Sequence, residues 1–268
     1  MYKLIGLDLD GTLLNSKKQI SPETIAVLHE AKSRGIKIVL ASGRPLEGMV
    51  PYLEQLALCS EDDFVVCYNG SIVKNVATGK TIHQQVVTAS DVKQIAALAE
   101  DLNVNTHAFS QELGLITPKE TTYTQLEATI NGIEVHETDF TSLEENHPMI
   151  KAMMVDEPGK LAQAISRLPD HLYEQFTIVQ SAPHFLEFLN PLSNKGLGIK
   201  MVAQHFNIPA EQVICFGDAE NDHHMIEFAG MGVAMGNAMP QTKAIADYIT
   251  TTNDNHGVAE GIEKLVFI

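Results

Sequence analysis

The sequence predicts an α/β fold, a doubly wound, Rossmann-like parallel sheet that carries an inserted α+β cap domain. Three observations support this. Strand-length apolar runs alternate with helical patterns at both ends of the chain, and several of those runs are apolar on both faces. Such strands suit a parallel sheet covered by helices, with right-handed crossovers. A central stretch, 83–189, breaks the alternation and lacks the acidic turns that follow the outer strands.

The first strand is KLIGLDL. Ser21-Pro22 then opens a helix, serine as its cap and proline in its first turn. Ile25, Leu28 and Ala31 give that helix an apolar stripe, and Gly35 stops it. Residues 36–41 form a second strand, 46–58 a helix despite Gly48 and Pro51, and 64–68 a third buried strand. In the central stretch VNTHAFS, ELGLIT, KAMMVD, FTIVQ and FLEFL read as strands among helices at 90–102 and 158–168. The outer pattern resumes with a helix at 194–206, the strand VICFGD and a helix at 220–229. Strand MGVAM, a helix at 239–246, strand DYIT and a helix at 258–266 complete it. The expected domains are therefore a core of 1–82 with 190–268, and an inserted cap of 83–189.

Composition bounds the chemistry. With 268 residues, 44% of them hydrophobic, the chain can bury a sizeable core. No apolar run approaches the ~18–20 residues of a membrane helix, and the N-terminus leads straight into DLDGT without a cleavage site. Cys59, Cys67 and Cys215 show neither zinc spacing nor a disulfide pattern, and the apolar runs around the last two suit buried small side chains. A cytoplasmic location follows as the expectation. The net charge of −16 argues against nucleic acid or an anionic membrane as partner. Oligomeric state stays open.

In an open parallel sheet, ligands bind beyond the carboxyl ends of the strands. Asp8, Asp10 and Thr12 follow the first strand, Ser42-Gly43-Arg44 the second, Tyr68-Asn69-Gly70 the third, and Asp218, Asn221 and Asp222 the VICFG strand. The insertion leaves just past the third group and returns just before Asn194-Lys195, the position of a lid. Asp8 and Asp10, two apart on a strand, crowd like charges beside a core and need compensation.

DLDGT, the Ser42 of ASGR, Lys195 in NKG and GDAEND resemble, in order, the four motifs of the haloacid dehalogenase-like phosphatases. The insertion between the second and third motifs is similar to that of the Cof-type sugar-phosphate phosphatases. The resemblance implies that Asp8 is a nucleophile forming an aspartyl phosphate and Asp10 the general acid and base. It implies Mg²⁺ held by Asp8, Asp218 and the backbone carbonyl of Asp10, an ion that offsets the acidic crowding. Phosphate would be bound by Leu9, Ser42, Gly43, Lys195 and Asn221. An elevated pKa at Asp10 is expected to help its acid role. Lys195 and the helix-weakening Gly196 and Gly198 suit a helix start that grips phosphate. Asp222 is expected to be structural or outer-shell, and Thr12 to bond within the first turn. Arg44, Asn69, Gly70 and His184 are further candidates for substrate contact. The substrate would be a small phosphorylated metabolite. A phosphomutase and a receiver-like phospho-aspartate switch share the first chemical step and stay open as alternatives.

Overall fold

A computed structural model describes residues 1–267 and divides the chain into two compact units, 1–84 with 194–268, and 85–193. The first unit is built on an eight-stranded sheet. Across it run Tyr248–Ile249, Met231–Ala234, Val213–Gly217, Leu4–Asp8, Lys37–Ala41, Phe64–Cys67, Ile72–Asn75 and Thr81–Gln84. From Tyr248–Ile249 through Phe64–Cys67 all pairings are parallel. The last two strands are an antiparallel addition at the edge, which the sequence pattern did not reveal. Leu4–Asp8 is buried at every residue, paired in register with Lys37–Ala41 and with the Val213 strand.

Local sequence explains where the elements stop. Helix Pro22–Ser33 is capped by the Ser21 side chain, which accepts from Thr24 N–H. Its buried stripe is Thr24, Val27, Leu28 and Ala31, with Ile25 half-exposed, a rotation from the expected face. The helix expected at 46–58 shrinks to Val50–Gln55, because Pro51 lacks an N–H and fits only a first turn. The expected helix at 220–229 begins as a tight 3₁₀ turn, Glu220–Asp222, before His223–Phe228. Gly196 and Gly198 are explained by packing and not by a weakened helix start. A Cβ on Gly196 would lie 2.3 Å from the His224 carbonyl oxygen, and one on Gly198 2.3 Å from Val66. Cys67 and Cys215 are buried as expected, and Cys59 is exposed.

The second unit holds a sheet ordered Thr177–Ala182, Phe185–Leu189, Pro148–Val155, Asn105–Ser110, Gly114–Thr117 and Val135–Glu137, with Val87–Thr88 pairing at the side. Only Gly114–Thr117 and Val135–Glu137 run parallel. Helices Ala89–Asp101 and Pro158–Ile165 contribute Val92, Ile95 and Leu161 to a core that includes Ala108, Ala152, Met154 and Phe188 of the sheet. Helix Thr122–Asn131, absent from the expectation because its apolar stripe is broken by threonines, brings Glu127 to Lys151.

Asp63, buried just before Phe64–Cys67, fixes the approach to that strand. It accepts hydrogen bonds from Cys59 N, Ser60 N, Ser60 Oγ and Lys32 Nζ at 2.7–3.1 Å. Burial alone raises its pKa, but the Ser60 and Lys32 contacts outweigh it and leave the carboxyl below its usual range. A depressed folded pKa means the contribution is full above the unfolded value of about 3.9 and fades as pH falls through the folded one. Asp63→Ala is expected to cost about 1–3 kcal/mol at pH 7. Urea unfolding across pH should show that deficit shrinking below about pH 4.

Candidate active site

The strand order reverses around Leu4–Asp8. The chain proceeds from it to Lys37–Ala41 and Phe64–Cys67 on one side, and returns later to Val213–Gly217 on the other. That reversal opens a crevice at the carboxyl ends of the two central strands. Asp8 ends one of these strands and Asp218 directly follows the other. The turn after Asp8 is closed by Leu13 N–H to the Asp8 carbonyl and by Thr12 and Leu14 N–H to the Leu9 carbonyl. Leu9 buries its side chain and uses its carbonyl in the turn, so any contact with phosphate falls to its backbone N–H. Gly11 has φ +94°, and a Cβ there would sit 2.4 Å from Asp218 Oδ2. Only glycine permits both the backbone and the approach. Thr12 Oγ1 donates to Asp218 Oδ1 at 2.8 Å, so it links the turn to the neighbouring strand's acid as well as closing the turn.

Lys195 opens helix Lys195–His205, placed by the Asn194 cap that accepts from Leu197 N–H. Its ammonium is 1% exposed and donates to Asp8 Oδ1 and Asp222 Oδ1, each at 2.6 Å. Asp222 Oδ2 accepts from the N–H groups of Asp218 and Ala219, so both its oxygens are committed within the protein. Burial, and then repulsion from Asp222, raises the Asp8 carboxyl well above its normal range despite Lys195. The same two causes push Asp218 up to about 6.

Asp10 behaves differently from its two neighbours. Its side chain pairs with Arg44, Nε to Oδ2 at 3.0 Å and a terminal nitrogen to Oδ1 at 2.9 Å, and with Lys18 Nζ at 2.6 Å. Burial raises its pKa, but these two cations outweigh it and the carboxyl lies below the usual range. The expected elevation at Asp10 is thus corrected, because the repelling carboxylate is not its nearest charge. The elevated groups are Asp8 and Asp218. Arg44, a candidate for substrate contact, has its fork bound to Asp10. Lys18 carries no signal in the sequence. It is a loop lysine with φ +58°, held by an asparagine turn at Asn15, and nothing in its neighbours marks it.

Ser42 is 3% exposed and accepts from Arg44 N–H, which leaves its own hydroxyl proton to donate. Asn69 is buried, and its Oδ1 accepts from Asn221 Nδ2 at 3.1 Å. Its amide lies against Gly43, where a Cβ would be 3.1 Å from Nδ2. Gly70 passes close to the Asn194 backbone. The first unit therefore brings together Asp8, Asp10, Thr12, Ser42, Gly43, Arg44, Asn69, Gly70, Lys195, Asp218, Asn221 and Asp222. His184 belongs to the second unit, where its ring stacks on Tyr123 at 5.6 Å and meets Phe185 edge-on at 4.3 Å.

Asp8, Asp218 and Asp222 offer oxygen atoms within 4.8 Å of one another. An all-oxygen donor set with more carboxylates than cations fits a small hard divalent ion. Because Asp222 is committed to Lys195 and the backbone, Asp8 and Asp218 are the side chains that could hold it.

Comparison with known proteins agrees with this geometry. A family profile for haloacid dehalogenase-like hydrolases matches residues 5–262. A haloacid dehalogenase-like hydrolase from Bacteroides thetaiotaomicron superposes with a TM-score of 0.87 at 37% identity, covering 99% of this chain and 100% of that one. The HAD subclass IIB sugar phosphatase BT4131 superposes with a TM-score of 0.81 at 25% identity, over 99% of this chain and all of the other. The 5-amino-6-(5-phospho-D-ribitylamino)uracil phosphatase YitU of Bacillus subtilis strain 168 is 30% identical over 274 residues, 97% of this chain and 96% of that one. The chain belongs to the haloacid dehalogenase-like hydrolases, among their phosphatases.

Proposed function

We propose that this chain is a Mg²⁺-dependent phosphomonoesterase that dephosphorylates small sugar phosphates through a phospho-aspartyl intermediate on Asp8. The observation that carries the reading is the buried Lys195 ammonium bridging Asp8 and Asp222 at the switch point, beside Asp218. The sugar-phosphate class is supported by the likeness to BT4131, and the relationship to YitU keeps other small phosphomonoesters on the test panel.

In this reading an Asp8 carboxylate oxygen attacks phosphorus as the ester P–O bond breaks, and the leaving oxygen takes a proton from Asp10. Water then attacks the acyl phosphate, giving its proton to Asp10, and free phosphate leaves with Asp8 restored. Lys195 holds Asp8 in place and stabilises charge on the phosphoryl oxygens, joined by Ser42 Oγ, Asn221 and the backbone N–H groups of Leu9 and Gly43. A bound Mg²⁺, held by Asp8, Asp218 and the Asp10 carbonyl, would supply positive charge that lets a dianion approach this acidic edge. Asp10 paired to Arg44 and Lys18 is in its ionised form, the one the water step uses. The ester step needs the proton on it, so the reading requires an incoming substrate to draw those cations off Asp10. Substrate selection falls to the second unit, the proposed cap.

Two measurements test this. Purified protein should hydrolyse an aryl phosphate and release inorganic phosphate, with EDTA abolishing turnover and Asp8→Asn lowering it by about a thousandfold or more. A stable phosphoprotein without free phosphate would favour a switch, and an isomerised sugar phosphate a mutase; full activity in Asp8→Asn would remove the nucleophile. Separately, millimolar Mg²⁺ should raise Tm by about 2–4 °C for each kcal/mol of binding free energy. Asp218→Asn should lose that response, and an unchanged response in this variant would place the ion elsewhere.

A further inference from the structure

The segment that follows strand Phe64–Cys67 carries three consecutive residues with positive φ: Tyr68 at 50°, Asn69 at 53° and Gly70 at 96°. Glycine adopts that backbone freely and asparagine tolerates it, whereas for tyrosine it costs about 1–2 kcal/mol. Such a turn persists only where its surroundings hold it. Here they do. Tyr68 N–H donates to the Arg44 carbonyl at 3.1 Å, and Asn69 N–H to the Ser42 carbonyl at 2.9 Å. Ser42 N–H in turn donates to Val66 at 3.0 Å, so the two loops are stitched together.

The consequence lies in what the triplet touches. Through its backbone it holds the Ser42–Arg44 turn. Through the Asn69 side chain, 3% exposed, it packs on Gly43 and accepts the Asn221 amide from a part of the chain 152 residues away. At Gly70 it runs so close to Asn194 that a Cβ would fall 2.0 Å from the carbonyl oxygen of the residue that caps the Lys195 helix. Three separate segments that carry candidate phosphate donors meet on these three residues.

We infer that Asn69 is a positioning residue for phosphoryl transfer, fixing the Asn221 amide relative to the Ser42–Gly43 turn without itself contacting substrate. The inference rests on the phosphatase reading above. It differs from the expectation that Asn69 meets the substrate, and is favoured because its amide oxygen is used inside the protein. Convergence of donors from distant loops matters because a misplacement of about 1 Å in such a site can cost about a hundredfold in rate.

Asn69→Gly isolates the side chain, because glycine keeps the left-handed backbone at no steric cost. The expected result is a Tm within about 4 °C of wild type, with kcat/KM on an aryl phosphate lowered about 10- to 100-fold. Asn221→Ala should show a loss of similar size. The double variant should fall no further than the larger single loss, since both remove one unit. Full kcat/KM in Asn69→Gly, or multiplying losses in the double variant, would overturn the positioning role while leaving the phosphatase reading intact. Absence of any wild-type turnover across a phosphomonoester panel would overturn both. If Asn69→Gly does not fold, Asn221→Ala decides alone, because wild-type kcat/KM there would leave Asn69 nothing to position.

Discussion

The Lys195 ammonium, buried between Asp8 and Asp222, is the interaction on which the site depends. A lysine this deep is tolerable only when paired with opposite charge, and removing the lysine leaves the buried Asp8 and Asp222 without their cation, at a cost of about 3–5 kcal/mol. Yet the compensation is incomplete. Three acids face one cation, and burial together with repulsion from Asp222 raises the pKa values of Asp8 and Asp218. A centre short of positive charge would gain from binding a cation, and a cation there would let a phosphate dianion approach. Such a local charge would reconcile a net charge of −16 with an anionic substrate. The field of the whole chain governs long-range steering, while the charges nearest the crevice include the cations Lys195, Arg44 and Lys18.

The fold supplies the crowding deliberately, through close approaches that larger residues forbid. Gly11 brings the first turn against Asp218, Gly196 brings the Lys195 helix against His224, and Gly198 seats that helix on Val66. The Gly11 and Gly198 contacts join segments from the early part of the chain to late ones, and the Gly196 contact joins two late helices. The parallel topology makes this possible, since only there do the carboxyl ends of Leu4–Asp8 and Val213–Gly217 lie side by side with the intervening chain routed elsewhere.

Much of this was legible in the sequence because the signals were local. A run of apolar residues ending in Asp8, a serine after the second strand and an acidic pair after VICFG each announce themselves within a few residues. What was not legible depended on distance. The pKa of Asp10 is governed by Arg44 and Lys18 and not by Asp8, and sequence spacing exaggerates the nearness of Asp8 once the chain leaves the strand and turns. The packing role of Gly196 and Gly198 is likewise invisible without knowing which backbone passes opposite them. The edge hairpin Ile72–Asn75 with Thr81–Gln84 escaped notice because its strands are short and its outer strand half-exposed, so neither gives the buried run that marked the others.

The second unit provides an internal comparison. Lys151, 1% exposed, sits 3.1 Å from Glu187 and 3.7 Å from Glu127, again one buried lysine between two carboxylates. Burial raises the Glu127 carboxyl as it does Asp8. The stoichiometry matches, but the setting differs. Lys151 and Glu187 lie inside strands, Lys151 beneath the Phe109 ring at 4.8 Å, with His107 held neutral nearby by burial and by the lysine, its pKa pushed down to about 3. Strand interiors fix side chains in a regular pleat and close them to solvent. Asp8, Asp218 and Lys195 instead occupy a strand end, the residue after a strand and a helix start, where backbone N–H groups are not consumed by the ladder and can turn toward a ligand. A buried lysine between two acids is therefore not by itself the mark of a candidate active site; the Lys195 cluster is set apart by its place at the carboxyl edge of a parallel sheet, beside a third acid.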